Sequence, residues 1–285
     1  MLLNSLKDFV SQKRQANYPE YVIKNSLKEY LQFPVLAYLY SRKNYQNFVF
    51  MGGSALRIIY NLPRLSEDLD FNLSEDDYNR FDLKGLGEEI KKYFQDQFQM
   101  EIGYRVQGKI RLYLKFPILD ELGLANDESG IKNSSGKESD FLYVKIELSI
   151  EDFQAAEYEV APVSGFGFNF IVKTYNLKFL MTGKISAILD RTWFKGKENE
   201  VDIKGRDYYD LFWYLEKGVE PDFKTLALKF KIKNMAELKI RLKEKIKSSV
   251  TAPKLRYDLI NFFSEQEFIG SFCDNYHEIM KKYLD

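Results

Sequence analysis

One cysteine and one histidine, Cys273 and His277, occur in 285 residues. A disulfide within the chain is therefore excluded, and so is a zinc site built from His and Cys. A mechanism that uses one histidine as base and another as acid is excluded with them. Any metal chemistry must run on oxygen ligands, the donors that magnesium, manganese and calcium prefer. No apolar run approaches the length of a membrane span, and no membrane partner is expected. The stretch MLLNSLKDFVSQKRQ breaks its apolar residues with Asn, Lys and Asp, which is unlike an export signal, so the expected compartment is the cytoplasm. An excess of either charge is also missing, since 42 Lys and Arg balance 42 Asp and Glu.

Apolar and aromatic residues are plentiful. Hydrophobic side chains make up 45% of the chain, with 23 Phe and 20 Tyr, which is ample for a packed core and argues against disorder. The length suits one or two domains. The neutral balance hides one local bias. Between residues 224 and 247, nine Lys or Arg face two acids, Glu237 and Glu244. That stretch reads either as a solvated helix face or as a contact for a polyanion such as RNA.

Apolar residues at helical spacing over 20–41 predict one or two helices. Phe48 to Met51 is a short apolar run ending on Gly52-Gly53, the pattern of a buried strand. Ser54 is expected to open a helix over 55–61 that Pro63 stops. Residues 69–73 read as strand and 76–98 as mostly helix, weakened at Gly85 and Gly87. Residues 100–106 and 110–116 pair around Gln107-Gly108. A mobile loop is expected at 120–140, a strong strand at 141–150 and another at 166–172. From Tyr175 onward no strand is evident. Five or so helices follow, near 175–190, 206–217, 222–232, 234–248 and 254–284 in pieces. The expected fold is α/β (α+β): a lobe with a mixed sheet over residues 1–172 and a helical bundle lobe over 173–285.

The chemistry concentrates in MGGSALRIIYNLPRLSEDLDF, residues 51–71. The glycines allow close backbone approach, and the helix start offers free N–H groups and the positive end of a dipole, a seat for anions to which Ser54 can add a hydroxyl. Asp68 and Asp70 stand two apart on a predicted strand, so both carboxylates share one face while Leu69 and Phe71 take the other. Two such charges repel, and a cation between them is the simplest remedy. In YVKIELSI, residues 143–150, Glu147 is an acid on the polar face of an apolar strand. It is the candidate third ligand, although taken alone it reads as an exposed charge. An anion seat beside metal-binding acids is the equipment of phosphoryl or nucleotidyl transfer.

This arrangement resembles the nucleotidyltransferase superfamily that includes DNA polymerase β. More narrowly, GGSALRIIYNLPRLSEDLDF looks like the first motif of the AbiEii/AbiGii toxins of abortive-infection and type IV toxin–antitoxin systems. YVKIELS is similar to that family's following strand, and LMTGKISAILDR (180–191) and KGRDYYDLFWYL (204–215) look like its two later motifs. The likeness spans about residues 48–215, and the opening motif is the most specific. Lys184 lies in an apolar stripe with Leu177, Leu180, Met181, Ala187 and Ile188, and Arg191 follows one heptad on. A lysine there needs an anion or must snorkel to solvent. The resemblance implies that the anion is a nucleotide phosphate or a site carboxylate. Asp207 reads first as an acid stabilising a helix start. The resemblance instead places it in an active cleft between the lobes, near Lys184, as base or orienting acid, with Arg206 able to touch phosphate. Asp210 reads as structural.

The expected site is therefore Asp68, Asp70, Lys184 and Asp207 for catalysis, Gly53, Ser54, Ser66 and Arg206 for nucleotide, and Asp68, Asp70 and Glu147 for metal. A phosphate on Ser66 would add negative charge beside the acids and silence the site. The resemblance implies Mg²⁺ or Mn²⁺ as cofactor, an NTP substrate, an RNA acceptor with the tRNA 3′ end foremost, and an antitoxin encoded nearby that need not bind the toxin. A monomer is expected. Two other readings stand beside it: transfer to a protein or small-molecule hydroxyl, and a nucleotide-binding module without turnover that acts on a protein partner.

Overall fold

The computed structural model describes residues 2–125, 140–150, 156–191, 193–195 and 201–285. Its backbone divides into two compact units, Met1–Glu151 with Val160–Thr174, and Asp152–Glu159 with Tyr175–Asp285.

The first unit is organised by a seven-stranded mixed sheet, which agrees with the α/β class. Its strands are β1 (Val49–Met51), β2 (Asp68–Leu73), β3 (Gly103–Gln107), β4 (Arg111–Pro117), β5 (Phe141–Ile150), β6 (Tyr158–Gly165) and β7 (Phe168–Tyr175). In space they run β3-β4-β5-β2-β1-β7-β6. β1 pairs antiparallel with β2 and parallel with β7, β2 runs parallel to β5, and β3-β4-β5 form an antiparallel meander. Alternation decides which face is buried. Leu112, Leu114 and Phe116 of β4, and Leu142, Val144, Ile146 and Leu148 of β5, point into the core, as do Leu69 and Phe71 of β2. Helices α1 (Leu2–Gln15), α2 (Glu20–Ser41), α3 (Gly52–Tyr60), α4 (Glu75–Arg80) and α5 (Leu83–Phe98) complete the unit. α2 lies against β5 and α5 against β3 and β4.

The region 20–41 forms a single helix that tolerates Pro34 in its interior. The helical stretch at 76–98 breaks ahead of the glycines, at Phe81-Asp82, because the Asp82 carboxylate caps α5 by accepting from the Lys84 and Gly85 N–H groups. Two elements were not expected. α1 buries only Leu2, Leu6 and Val10, a stripe too sparse to read as a helix. β6 lies at an edge of the sheet and carries Pro162 and Gly165, with Val160 exposed, so it lacks strand alternation. Of the loop expected at 120–140, residues 126–139 lie outside the described residues.

The second unit is helical: α6 (Leu177–Asp190), α7 (Gly205–Glu216), α8 (Phe223–Phe230), α9 (Met235–Ser249), α10 (Ala252–Leu259), α11 (Gln266–Asp274) and α12 (Tyr276–Leu284). Side chains of Asn176, Asp222, Asn234 and Thr251 cap α6, α8, α9 and α10, which explains why those helices start where they do. Cys273 is buried in α11, and the His277 ring meets the Val250 carbonyl.

Candidate active site

In the first unit, β1 turns directly into α3. The helix starts at Gly52, two residues earlier than Ser54, because extended Met51 is its N-cap and no side chain caps it. Gly52 has φ +75°, and a Cβ there would collide with the Asp70 carboxylate. Glycine is thus required twice over, for the backbone and for the approach of Asp70. Gly52→Ala should cost about 1–3 kcal/mol of stability and push Asp70 out of place. Thermal melting and a transfer assay on the same preparation check it, and an unchanged rate would show that the approach of Asp70 is unimportant.

Ser54 is fully buried, and its hydroxyl donates to the Asp68 main-chain carbonyl. This bond ties the helix start to β2 and positions the first aspartate. Gly53 lies under the Arg64 guanidinium and the Ser66 hydroxyl, both close to where a Cβ would be. Arg64 is only 2% exposed and donates to the Leu65 carbonyl. Ser66 is buried as well, and its carbonyl accepts from Gln32. A buried guanidinium beside a helix N-terminus strengthens the positive field there.

The register of β2 against β5 sets Asp68 opposite Lys145 and Asp70 opposite Glu147. Lys145 Nζ lies 2.9 Å from Asp68 and 2.8 Å from Glu147. Arg111, opposite Glu147 on β4, donates two hydrogen bonds to it at 3.1 Å each. Burial opposes the charge on Glu147, but Arg111 and Lys145 outweigh it and hold the carboxyl below its ordinary range. Burial likewise opposes the Lys145 ammonium, and Asp68 and Glu147 together raise its pKa. Among the described residues, no three of His, Cys, Asp and Glu gather closely enough to hold a metal. Asp68 and Glu147 converge on Lys145 instead. Asp68 and Asp70, two carboxylates on one face, are the donor type a hard divalent cation takes, with one oxygen of Asp68 shared with Lys145; the oxygens of Glu147 serve two cations, Arg111 and Lys145.

Lys145, Arg111 and Arg64 were not anticipated. Lys145 and Arg111 could have been found by applying to KIRLYLKF and YVKIELSI the same alternation that singled out Glu147. Arg64 carries no pattern beyond its position between α3 and β2.

The second unit holds a buried ionic cluster between α6 and α7. Lys184 Nζ lies 2.6 Å from Asp207 and 2.8 Å from Asp210, and Arg191 meets the other oxygen of Asp207. Lys184 therefore does not snorkel. Asp207 stands in the first turn of α7, as an acid at a helix start does, and it also pairs with Lys184. Burial opposes its charge, yet Lys184 and Arg191 keep its carboxyl below the usual range. Asp210 is fully buried, in keeping with a structural role. Arg206 turns toward Asp258 and stacks over Phe262 at 4.2 Å. In the basic stretch, Lys243 pairs with Asp285 and Arg241 with Glu244.

Residues 35–285 match the family model described as nucleotidyl transferase AbiEii toxin, type IV TA system. The chain is a nucleotidyltransferase. Within that class it belongs to the AbiEii toxins of type IV toxin–antitoxin systems, a family that implies an NTP substrate and an antitoxin partner. Two solved structures from Helicobacter pylori are similar. One is described as a candidate nucleotidyltransferase, with 18% identity, TM-score 0.44, and 88% of this chain and 92% of that one covered. The other is JHP933, with 18% identity, TM-score 0.45, and 90% and 93% covered. No curated protein is significantly similar in sequence. No helix among the described residues is long and apolar enough to cross a membrane.

Proposed function

We propose that the protein transfers a nucleoside monophosphate from an NTP to a hydroxyl of RNA, the tRNA 3′ end foremost, with release of pyrophosphate and with Mg²⁺ or Mn²⁺ as cofactor. The observation that carries this reading is the pair Asp68 and Asp70 on one sheet face, with Asp70 drawn against the start of α3 by Gly52. A divalent cation bound there would neutralise the triphosphate and lower the pKa of the attacking hydroxyl.

Around that pair, the first turn of α3 supplies N–H groups for phosphate oxygens, and Arg64 adds positive charge behind Gly53. Ser54 and Ser66 act by shaping this turn. Lys184 is assigned to the phosphates of the nucleotide, where its ammonium would stabilise charge on the leaving group, and Asp207 to orienting that lysine or accepting a proton. Arg206 remains a phosphate contact only if it leaves Asp258. The partner antitoxin is expected to be encoded nearby and need not bind the toxin directly, and the protein is expected to work as a cytoplasmic monomer.

Glu147 is proposed as the third metal ligand, which it becomes only by giving up Arg111 or Lys145. Glu147→Gln should then raise the magnesium concentration for half-maximal transfer roughly tenfold. An unchanged magnesium requirement would restrict Glu147 to holding Lys145.

The deciding experiment incubates each α-labelled NTP with the protein, magnesium and total tRNA, beside an Asp68→Ala/Asp70→Ala control. Label on tRNA from the wild type alone supports the reading and identifies the nucleotide. Label on protein would move the acceptor to a side chain. Absence of label with nucleotide binding intact would favour a binding module.

A further inference from the structure

The sheet face that carries Asp68 and Asp70 continues across β5, β4 and β3, and there its side chains alternate between aromatic and cationic. The register sets Tyr113 opposite Lys145, Lys115 opposite Tyr143, and Pro117 opposite Phe141, and β3 adds Arg105 opposite Tyr113. Phe141 and Tyr143 are 39% and 36% exposed, with ring centroids 6.3 Å apart. The Arg105 guanidinium lies 4.9 Å over the Tyr113 ring, whose hydroxyl donates to Gln107. The intervening residues of β4 and β5 form the core on the opposite side, so core packing does not account for these aromatic rings.

Charge changes along the face. At β2 it is acidic. Toward β3 and β4, Arg105 and Lys115 are faced in the register by tyrosine and glycine, with no acid opposite them. A polyanion with flat, apolar bases matches that sequence of cations and rings: phosphates against Arg105 and Lys115, bases on Tyr143, Phe141 and Tyr113. Tyr143 stands two residues along β5 from Lys145, the partner of Asp68, a span of roughly 7 Å. Two base-stacking steps of about 3.4 Å cover that span.

We infer that this face is a stacking platform for single-stranded RNA, holding the unpaired nucleotides just upstream of the acceptor hydroxyl. The inference rests on the RNA-transfer reading and adds to it the part of the acceptor that is recognised.

The test uses the full chain, a fluorescein-labelled eight-nucleotide single-stranded RNA, and a blunt RNA duplex of the same sequence. Anisotropy gives binding, and label transfer gives KM for RNA and for NTP separately. Tyr143→Ala and Phe141→Ala should weaken single-strand binding and raise KM for RNA by roughly five- to a hundredfold, with KM for NTP unchanged. Tyr143→Phe, which keeps the ring, should behave as wild type and controls for folding. Lys115→Glu should weaken binding most at low salt. Wild-type behaviour of both alanine variants, or equal binding of duplex and single strand, overturns the platform. Label on RNA from the wild type together with indifferent alanine variants would remove the platform and leave the transferase reading intact. Ring-dependent binding without any transfer would do the reverse.

Discussion

Asp68→Ala should lower nucleotidyl transfer roughly a thousandfold or more while the protein stays folded. The asymmetry follows from what Asp68 touches. Its carboxylate is partly exposed and paired with Lys145, and losing a pair of that kind costs at most about 1 kcal/mol. Lys145 keeps Glu147 as a partner, so no buried charge is left bare. The reaction, by contrast, loses one of its two shared-face carboxylates. Asp70→Ala should be equally inactive. Label transfer beside a thermal melt measures both effects. Transfer within tenfold of wild type, with the melt unchanged, would remove these acids from the reacting centre.

Lys184→Met should act on stability first, by about 3–5 kcal/mol. The substitution removes the ammonium that Asp207 and the fully buried Asp210 share; Asp207 keeps Arg191, so the larger part of the penalty falls on Asp210, and weakening the compensation of a buried carboxylate is among the larger single-site penalties. Denaturant unfolding reads the loss. The pH dependence should change with it. In the wild type, Asp207 has a folded pKa below its unfolded value. Its stabilising contribution is therefore present above about pH 4 and is lost as the pH falls through the folded value. Without Lys184 the burial effect gains, and acid sensitivity from this carboxylate should shrink or reverse. A variant as stable as wild type would mean that the cluster contributes charge to the chemistry and little to the fold.

Alternation made much of the first unit legible. A period of two in YVKIELSI and in DLDF identified β5 and β2 and put Glu147 and both aspartates on polar faces. The class of the fold and the helical character of the second unit followed from the same kind of pattern. What alternation cannot supply is register between strands far apart in the chain. The pairing of Asp68 with Lys145 depends on β2 lying beside β5, a neighbour 77 residues away, and no local signal encodes it. Edge position hid β6, whose Pro162 and exposed Val160 mimic a loop. The start of α3 was misplaced by three residues because its N-cap is backbone alone, while the serine that looked like a cap is buried on the Asp68 carbonyl. Lys184 was legible as an anomaly in an apolar stripe, but two carboxylates sharing it had to be seen in space.

The order of strands bears on how this protein comes into being. β1 and β2, which carry the glycine turn and both aspartates, lie between β5 and β7, strands that leave the ribosome about 70 or more residues later. At usual rates of synthesis that interval is roughly 4–20 s. During it, the motif exists without the neighbours that give it a register, and pairing between such distant segments is slow. A nascent chain, or one truncated ahead of residue 141, therefore carries the signature of a nucleotidyltransferase without the assembled face that Lys145, Arg111 and Glu147 complete.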